Sequence, residues 1–183
     1  MITSHTLNAR RKQSGITLIE VSIGLIIAAI VAAAAFIAFQ NNARRTEVQD
    51  NIKQITEIIS ETKQKVGSTS GYADLTTPIA AQLAILPADQ NGNALPNSYN
   101  AAVTLVGVDA DNATLTWTGV EGDQCSDIVL AVANGVTDIT GTPTTGTGGT
   151  ANNIAGELTL TQASTICGTD GSPVTLALTF GRR

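Results

Sequence analysis

Apolar residues dominate the first third of the chain and begin as one uninterrupted run. From Ile16 to Phe39 the side chains are apolar or small with scattered hydroxyls, and Glu20 is the only charged residue. A helix over this run would be roughly 36 Å long, which is enough to cross a hydrocarbon core of about 30 Å. The pattern therefore predicts a transmembrane helix with one acidic residue near its start.

The next segment carries an apolar stripe with helical spacing. The members of the stripe are separated by alternating intervals of four and three residues, and charged and polar residues lie between them. The members are Val48, Ile52, Ile55, Ile59, Thr62 and Val66. No proline interrupts residues 16–66, and Gly67 is a typical helix end. We therefore predict one helix over 16–66, apolar all round over 16–39 and amphipathic over 40–66, with the stripe packed on a globular domain.

Residues 67–183 are predicted to form that globular domain. Val- and Thr-rich segments at 102–108 and 113–118 flank an Asp- and Asn-rich turn, which predicts a hairpin with Trp117 in the core. A last strand is expected over 173–180, where every second residue is apolar. The fold class is therefore α+β, with a long N-terminal helix packed on an antiparallel β-sheet.

Shorter segments of this domain are predicted as helices or as loop. Residues 78–86 form a short helix in this interpretation, capped by Thr77 and buried through Ile79, Leu83 and Leu86. A second helix is expected over 123–133 and a third over 162–167. The Thr- and Gly-rich residues 140–153 are expected to be a loop with little to bury.

Charge and histidine content exclude several classes of function. The chain has a formal charge of −5. Beyond residue 15 it contains seven Lys and Arg residues and fifteen Asp and Glu residues. That part carries −8 from its side chains. It has no basic stripe apart from Arg44-Arg45 and the helix face with Lys53, Lys63 and Lys65, which argues against nucleic-acid binding. The only histidine is His5, so histidine-dependent triads and histidine metal sites are not expected after the apolar run.

Two cysteines and one acidic motif were the remaining candidates for chemistry. Cys125 and Cys167 are the only cysteines, and an even pair in an exported domain favours a disulfide. Asp89, Asn91 and Asn93 have the spacing of the start of a calcium loop, but the glycine and glutamate that complete such a loop are replaced. A polar turn is predicted there, and no metal, cofactor or catalytic residue is expected.

Glu20 leaves three interpretations of the N-terminus open. A basic segment at 10–12 followed by an apolar run and alanines fits a secretory signal peptide, although the run is long for one. A plain signal anchor would tolerate Glu20 near the interface. The third interpretation is given below. In it, as in a signal anchor, the basic residues before the run place the N-terminus in the cytoplasm and the domain outside.

The third interpretation rests on a resemblance. The string KQSGITLIEV, residues 12–21, resembles the processing site of type IV prepilins. The resemblance implies that a prepilin peptidase removes the leader 1–15 by cutting after Gly15 and methylates the new N-terminus, Ile16. It also implies that Glu20 of one subunit meets the charged Ile16 amine of a neighbour, so that two costly charges neutralise each other and set the register of assembly.

The globular domain resembles the type IVb pilins, in particular the PilS type. The points of contact include Tyr72-Ala-Asp-Leu75, the Cys125-x-x-Ile-Val pattern, and Cys167 shortly before a C-terminal strand. The resemblance implies a pilin fold with a C-terminal region bounded by a disulfide, and a non-enzymatic subunit that polymerises into a helical pilus used for adhesion, aggregation or mating contact.

The implied partners are other copies of the chain, the peptidase, an inner-membrane assembly platform and the inner membrane itself. The precursor would be a single-pass inner-membrane protein and the product an extracellular pilus. A minor pilin or a pseudopilin of a type II secretion system remains an alternative, as does a membrane-anchored envelope protein that never polymerises.

Overall fold

A computed structural model gives the structure of the chain, and it describes residues 17–152, 157–168 and 171–182. These residues fall into two compact units, which divide between Ala43 and Arg44. The first unit, as far as it is described, consists of the first part of helix α1. The second unit contains the rest of that helix and the whole globular domain.

The long N-terminal helix is confirmed. Helix α1 runs over Leu18–Thr62 and passes directly into a π-helical turn at Lys63–Gly67, so the predicted end at Gly67 is correct. Residues 44–62 bury a stripe that includes Ile55 and Ile59, as the spacing predicts. Asn51 and Ile58 are buried as well, which makes the covered face wider than the apolar pattern alone suggests.

A five-stranded antiparallel sheet forms the centre of the domain. The strands are β1 Val103–Gly107, β2 Asn112–Val120, β3 Asp138–Pro143, β4 Thr150–Ala151 and β5 Val174–Gly181, in the spatial order β1-β2-β5-β3-β4. The hairpin of β1 and β2 confirms the prediction, with Leu105 opposite Leu115. The C-terminal strand β5 lies between β2 and β3, so the end of the chain holds the middle of the sheet.

The core lies between one face of this sheet and the helices. Strand β5 alternates strictly, with Val174, Leu176, Leu178 and Phe180 buried, as predicted. These side chains belong to the same buried cluster as Ile55 of α1 and Trp117 of β2. The α+β fold of a long helix on an antiparallel sheet is thereby confirmed.

Among the described residues of the domain there are three short α-helices, α2 Thr77–Gln82, α3 Gly122–Val132 and α4 Leu160–Cys167, and a 3-10 turn at Ala133–Gly135 follows α3. A disulfide joins Cys125 in the first turn of α3 to Cys167 at the end of α4, with the Cα atoms 5.8 Å apart. Helix α4 begins with a capping box in which Thr159 and Gln162 satisfy each other's backbone amides.

The predicted face of the first short helix is wrong. Helix α2 ends at Gln82 instead of Leu86, and Ala84 follows in the left-handed region with φ 51°. Ile79 and Leu83 are therefore only partly covered, at 39% and 43% exposure, and Ala80 and Ala81 are buried instead. Leu86 is buried as predicted, but it lies beyond the end of the helix. Thr77 lies inside the helix and bonds to β1, where its hydroxyl accepts the Leu105 amide at 3.1 Å.

The loop predicted over 140–153 is wrong in part, because β3 covers its residues 140–143 and β4 covers 150–151. The alternation of β3 is hidden in the sequence, since its buried positions include Gly141 and Pro143 beside Ile139. A Cβ at Gly141 would lie 2.0 Å from the carbonyl oxygen of Ile166 in α4, so glycine allows the helix to approach the strand.

Candidate assembly site

Thr17 and Glu20 form the cap of α1. The amide and the hydroxyl of Thr17 each donate to Glu20 Oε2 at 2.9 Å, and the Glu20 amide donates to Thr17 Oγ1 at 3.3 Å. Since Thr17 directly precedes the first helical residue, this is a capping box, which satisfies amides that have no partner inside the helix. This role was not predicted from the sequence, although the Thr-x-x-Glu spacing is the known signature of a capping box.

The apolar half of α1 is bare within its own unit. Its large side chains are exposed, from Leu18 with 87% of its surface accessible to Phe39 with 71%. The helix is long and apolar enough to cross a membrane. Such a surface is not stable in water, so it requires lipid or other protein to cover it.

The other site residues predicted from the sequence are distributed as follows. Gly15 and Ile16 lie outside the described residues. Cys125 and Cys167 are joined by a disulfide, which fixes α3 to α4. Within the described part of the chain, no group of three or more acidic, Cys or His side chains could hold a metal ion.

A buried hydrogen bond attaches α1 to the sheet. Trp117, 1% exposed, donates its indole N–H to Asn51 Oδ1 at 3.0 Å, and Asn51 Nδ2 donates to the carbonyl oxygen of Glu47 at 2.8 Å. Both polar groups are satisfied without water, as burial requires. Asn51 could not be singled out from the sequence, because a polar residue beside the apolar stripe carries no sign of its partner.

A second polar contact lies at the start of α3. The amide nitrogen of Gln124 donates to Glu47 Oε2 at 3.1 Å and to Glu121 Oε2 at 3.0 Å, and the Tyr99 hydroxyl donates to Gln124 Oε1. Burial, and after it the charges of Glu47 and Glu121, raise the pKa of Tyr99, so its phenol stays protonated. Arg44 and Asp123 form an ion pair beside this network.

The segment that follows α1 is held by the C-terminal residues of the chain. Arg182 Nε donates to the carbonyl oxygen of Gly67 at 2.7 Å, and the rings of Tyr72 and Phe180 meet edge to face at 5.9 Å. Burial raises the pKa of Tyr72, an effect that the charge of Arg182 partly offsets. Lys63 donates to the carbonyl oxygen of Gly135 at 3.2 Å, and burial lowers the pKa of its ammonium group.

The two acidic turns are structural. Asp89 accepts the amides of Asn91 and Asn93, both at 2.8 Å, which confirms the predicted polar turn. Asp109 accepts the amides of Asp111 and Asn112 in the hairpin turn. Hydrogen bonds from Asn93 and Asn112, respectively, hold the pKa of each carboxyl below its ordinary value.

Comparison with known proteins agrees with this geometry. The family model described as the prokaryotic N-terminal methylation motif matches residues 10–36, and the model described as PilS N terminal matches residues 45–180, most of the chain. The chain belongs to the PilS family. As a PilS-type pilin it is a type IVb prepilin, a pilus subunit rather than an enzyme.

Among solved structures, this PilS-type pilin is similar to TcpA, a type IV pilin from Vibrio cholerae El Tor biotype. The two share 17% sequence identity with a TM-score of 0.47, over 75% of this chain and 98% of TcpA. The search of curated proteins found no match.

Proposed function

We propose that this pilin polymerises into a type IVb pilus after a prepilin peptidase removes residues 1–15 and methylates Ile16. The observation that carries the proposal is the bare apolar half of α1, whose single charge is the carboxylate of Glu20. A bilayer covers this surface before assembly, and copies of the same helix cover it in the pilus. Residues 16–39 form the core of the fibre, 40–66 connect it to the head, and 67–183 form the head.

Pairing between subunits explains the position of Glu20. Cleavage after Gly15 creates a cation on Ile16, and methylation keeps that charge. In the monomer Glu20 is satisfied by Thr17 through Oε2. In the pilus it meets the Ile16 amine of the next subunit, and this pairing selects one axial register because any other leaves both charges buried alone.

The cellular setting follows from the same features. The precursor crosses the inner membrane once with its basic N-terminus in the cytoplasm and its acidic head outside. An inner-membrane assembly platform adds subunits to the pilus base. The finished pilus serves adhesion, aggregation or contact between mating cells.

The test is assembly by subunits that carry Glu20→Val. Because the substitution removes a charge from the membrane, the monomer accumulates and is still cleaved at Gly15, but pili fall to a small fraction of wild type. Electron microscopy of sheared filaments gives the yield, and mass spectrometry of the subunit gives the mature N-terminus. Ser22→Ala is the control, since it removes a polar group two residues away and leaves the carboxylate.

Normal filaments built from Glu20→Val subunits alone would refute the pairing. Filaments whose subunits retain residues 1–15 would refute the processing step.

A further inference from the structure

A groove of about 470 Å³ runs along α1 in the globular unit. Its far wall and floor are aliphatic and aromatic, formed by residues that include Leu86, Pro87, Leu95, Pro96 and Trp117. The wall that α1 supplies carries the acidic groups, with Gln54, Glu57 and Glu61 beside the apolar Ile58. A groove with one apolar side and one acidic side fits a cation on an apolar stem, which is the chemistry of a lysine side chain.

The far wall is held in place by Lys65. Its ammonium donates to the carbonyl oxygens of Leu83 at 3.0 Å and Ala84 at 3.1 Å, and to Glu61 Oε2 at 2.8 Å. Glu61 is thus neutralised inside its own subunit. Within the described residues the side chain of Glu57 has neither a hydrogen bond nor an ion pair, so its charge is available to a partner.

The same helix carries the complementary charge. Lys53 and Arg45 are exposed, and in the part of the chain that the structure describes neither forms an ion pair or a hydrogen bond. Heads that each carry excess negative charge repel one another when they pack together. An unpaired cation placed beside an unpaired carboxylate of the next copy reduces this electrostatic repulsion.

We propose that this groove is a subunit interface of the pilus, in which Lys53 of a second copy places its ammonium beside Glu57. The proposal rests on the proposed function, because it requires a pilus. Lys53 and Glu57 are four residues apart, which is about 6 Å along a helix. Ile16 and Glu20 are separated by the same four residues in the sequence, so the offset of four residues that pairs Ile16 with Glu20 is also the offset that pairs Lys53 with Glu57.

Charge reversal tests the contact in cells. Either Glu57→Lys or Lys53→Glu alone gives residues 53 and 57 of neighbouring copies the same charge. Their repulsion across the groove is expected to lower pilus yield by about fivefold or more. The double variant restores the opposite pairing and returns the yield to within about twofold of wild type. Arg45→Glu is the matched control, since it makes the same charge change on α1 but its four-residue partner is Gln49, and it leaves the yield within about twofold.

Crosslinking tests the contact directly. Cells that express Lys53→Cys and Glu57→Cys in separate subunits are expected to yield a disulfide-linked dimer in sheared pili after mild oxidation. Lys53→Cys with Asp127→Cys is the control, because Asp127 is exposed on α3 and does not line the groove. The native cysteines are already paired with each other.

The outcomes separate this inference from the function on which it rests. Absence of filaments from wild-type subunits would refute the proposed function. Filaments with normal sensitivity to Glu20→Val, but without the 53–57 crosslink or without rescue by the double reversal, would refute only the groove contact. An Arg45→Glu variant as defective as Lys53→Glu would also refute it, since the effect would then be one of net charge.

Discussion

At the residue scale, Asn51 carries more of the structure than its position suggests. A side chain of 0% exposure in the middle of a helix must satisfy both of its polar groups, and it does so through Trp117 and the carbonyl oxygen of Glu47. The contact fixes the rotation of α1 about its own axis relative to β2. An aliphatic residue at this position would bury well but would specify no partner.

Asn51→Ala is therefore expected to lower the free energy of unfolding by about 1–3 kcal/mol, because the indole N–H of Trp117 loses its acceptor. Urea unfolding of the full chain in micelles, followed through the emission of this single tryptophan, gives the value. Gln49→Ala, at an exposed position on the same helix, is the control and should change it by less than about 0.5 kcal/mol. Equal effects from the two substitutions would contradict the role of Asn51.

At the element scale, a helix or strand can be predicted from the sequence when its apolar residues recur with a regular period. Helix α1, the β1–β2 hairpin and β5 each repeat an apolar residue often enough for their sequence to indicate both type and buried face. Strand β3 does not, because its inward positions are filled by Ile139, Gly141 and Pro143. The face of helix α2 was predicted wrongly because the chain turns at Ala84 and ends the helix early. The carbonyl oxygen of Ala84 accepts from Lys65, which is distant in the sequence, so the local pattern does not indicate this turn.

The candidate site divides in the same way. The short motif around Glu20 was sufficient to predict a type IV prepilin, because the motif is local, and the role of Glu20 in assembly stays a prediction. The pairing of Cys125 with Cys167 followed from a count of cysteines in an exported domain. The contacts of Asn51, Gln124 and Glu57 join residues far apart in the chain, and no single segment of sequence contains them.

Gly141 gives the test at this scale. Gly141→Ala places a methyl group 2.0 Å from the carbonyl oxygen of Ile166, so α4 must move away from β3 at a cost of about 1–3 kcal/mol or more. Thermal unfolding and protease resistance of the head report the loss. Gly135→Ala is the matched control, because a Cβ there meets no atom within 4 Å. A Gly141→Ala head as stable as the control would mean that the two elements are not in close contact.

At the scale of the whole molecule, two opposite surfaces belong to one subunit. The apolar side chains of the helix are exposed and must be covered by lipid or by other subunits, whereas the acidic charge of the head repels other subunits. Attraction through apolar burial has no preferred register, whereas a charge pair has one. The proposed pairs, Ile16 with Glu20 and Lys53 with Glu57, would therefore decide which of many apolar packings becomes the pilus.

Mixed expression tests this division of roles, because each subunit both offers an amine and receives one. A Glu20→Val subunit still offers its Ile16 amine to a wild-type Glu20, so it enters mixed pili, but it cannot receive the next amine. We therefore expect its share in the pilus to be below its share in the membrane, and pilus yield to fall as that share rises. Quantitative mass spectrometry of the peptide that contains residue 20 measures both shares, and Ser22→Ala subunits should enter in proportion. Complete exclusion of the Glu20→Val subunit would show that it fails before pairing, and entry in full proportion would show that the carboxylate does not select the register.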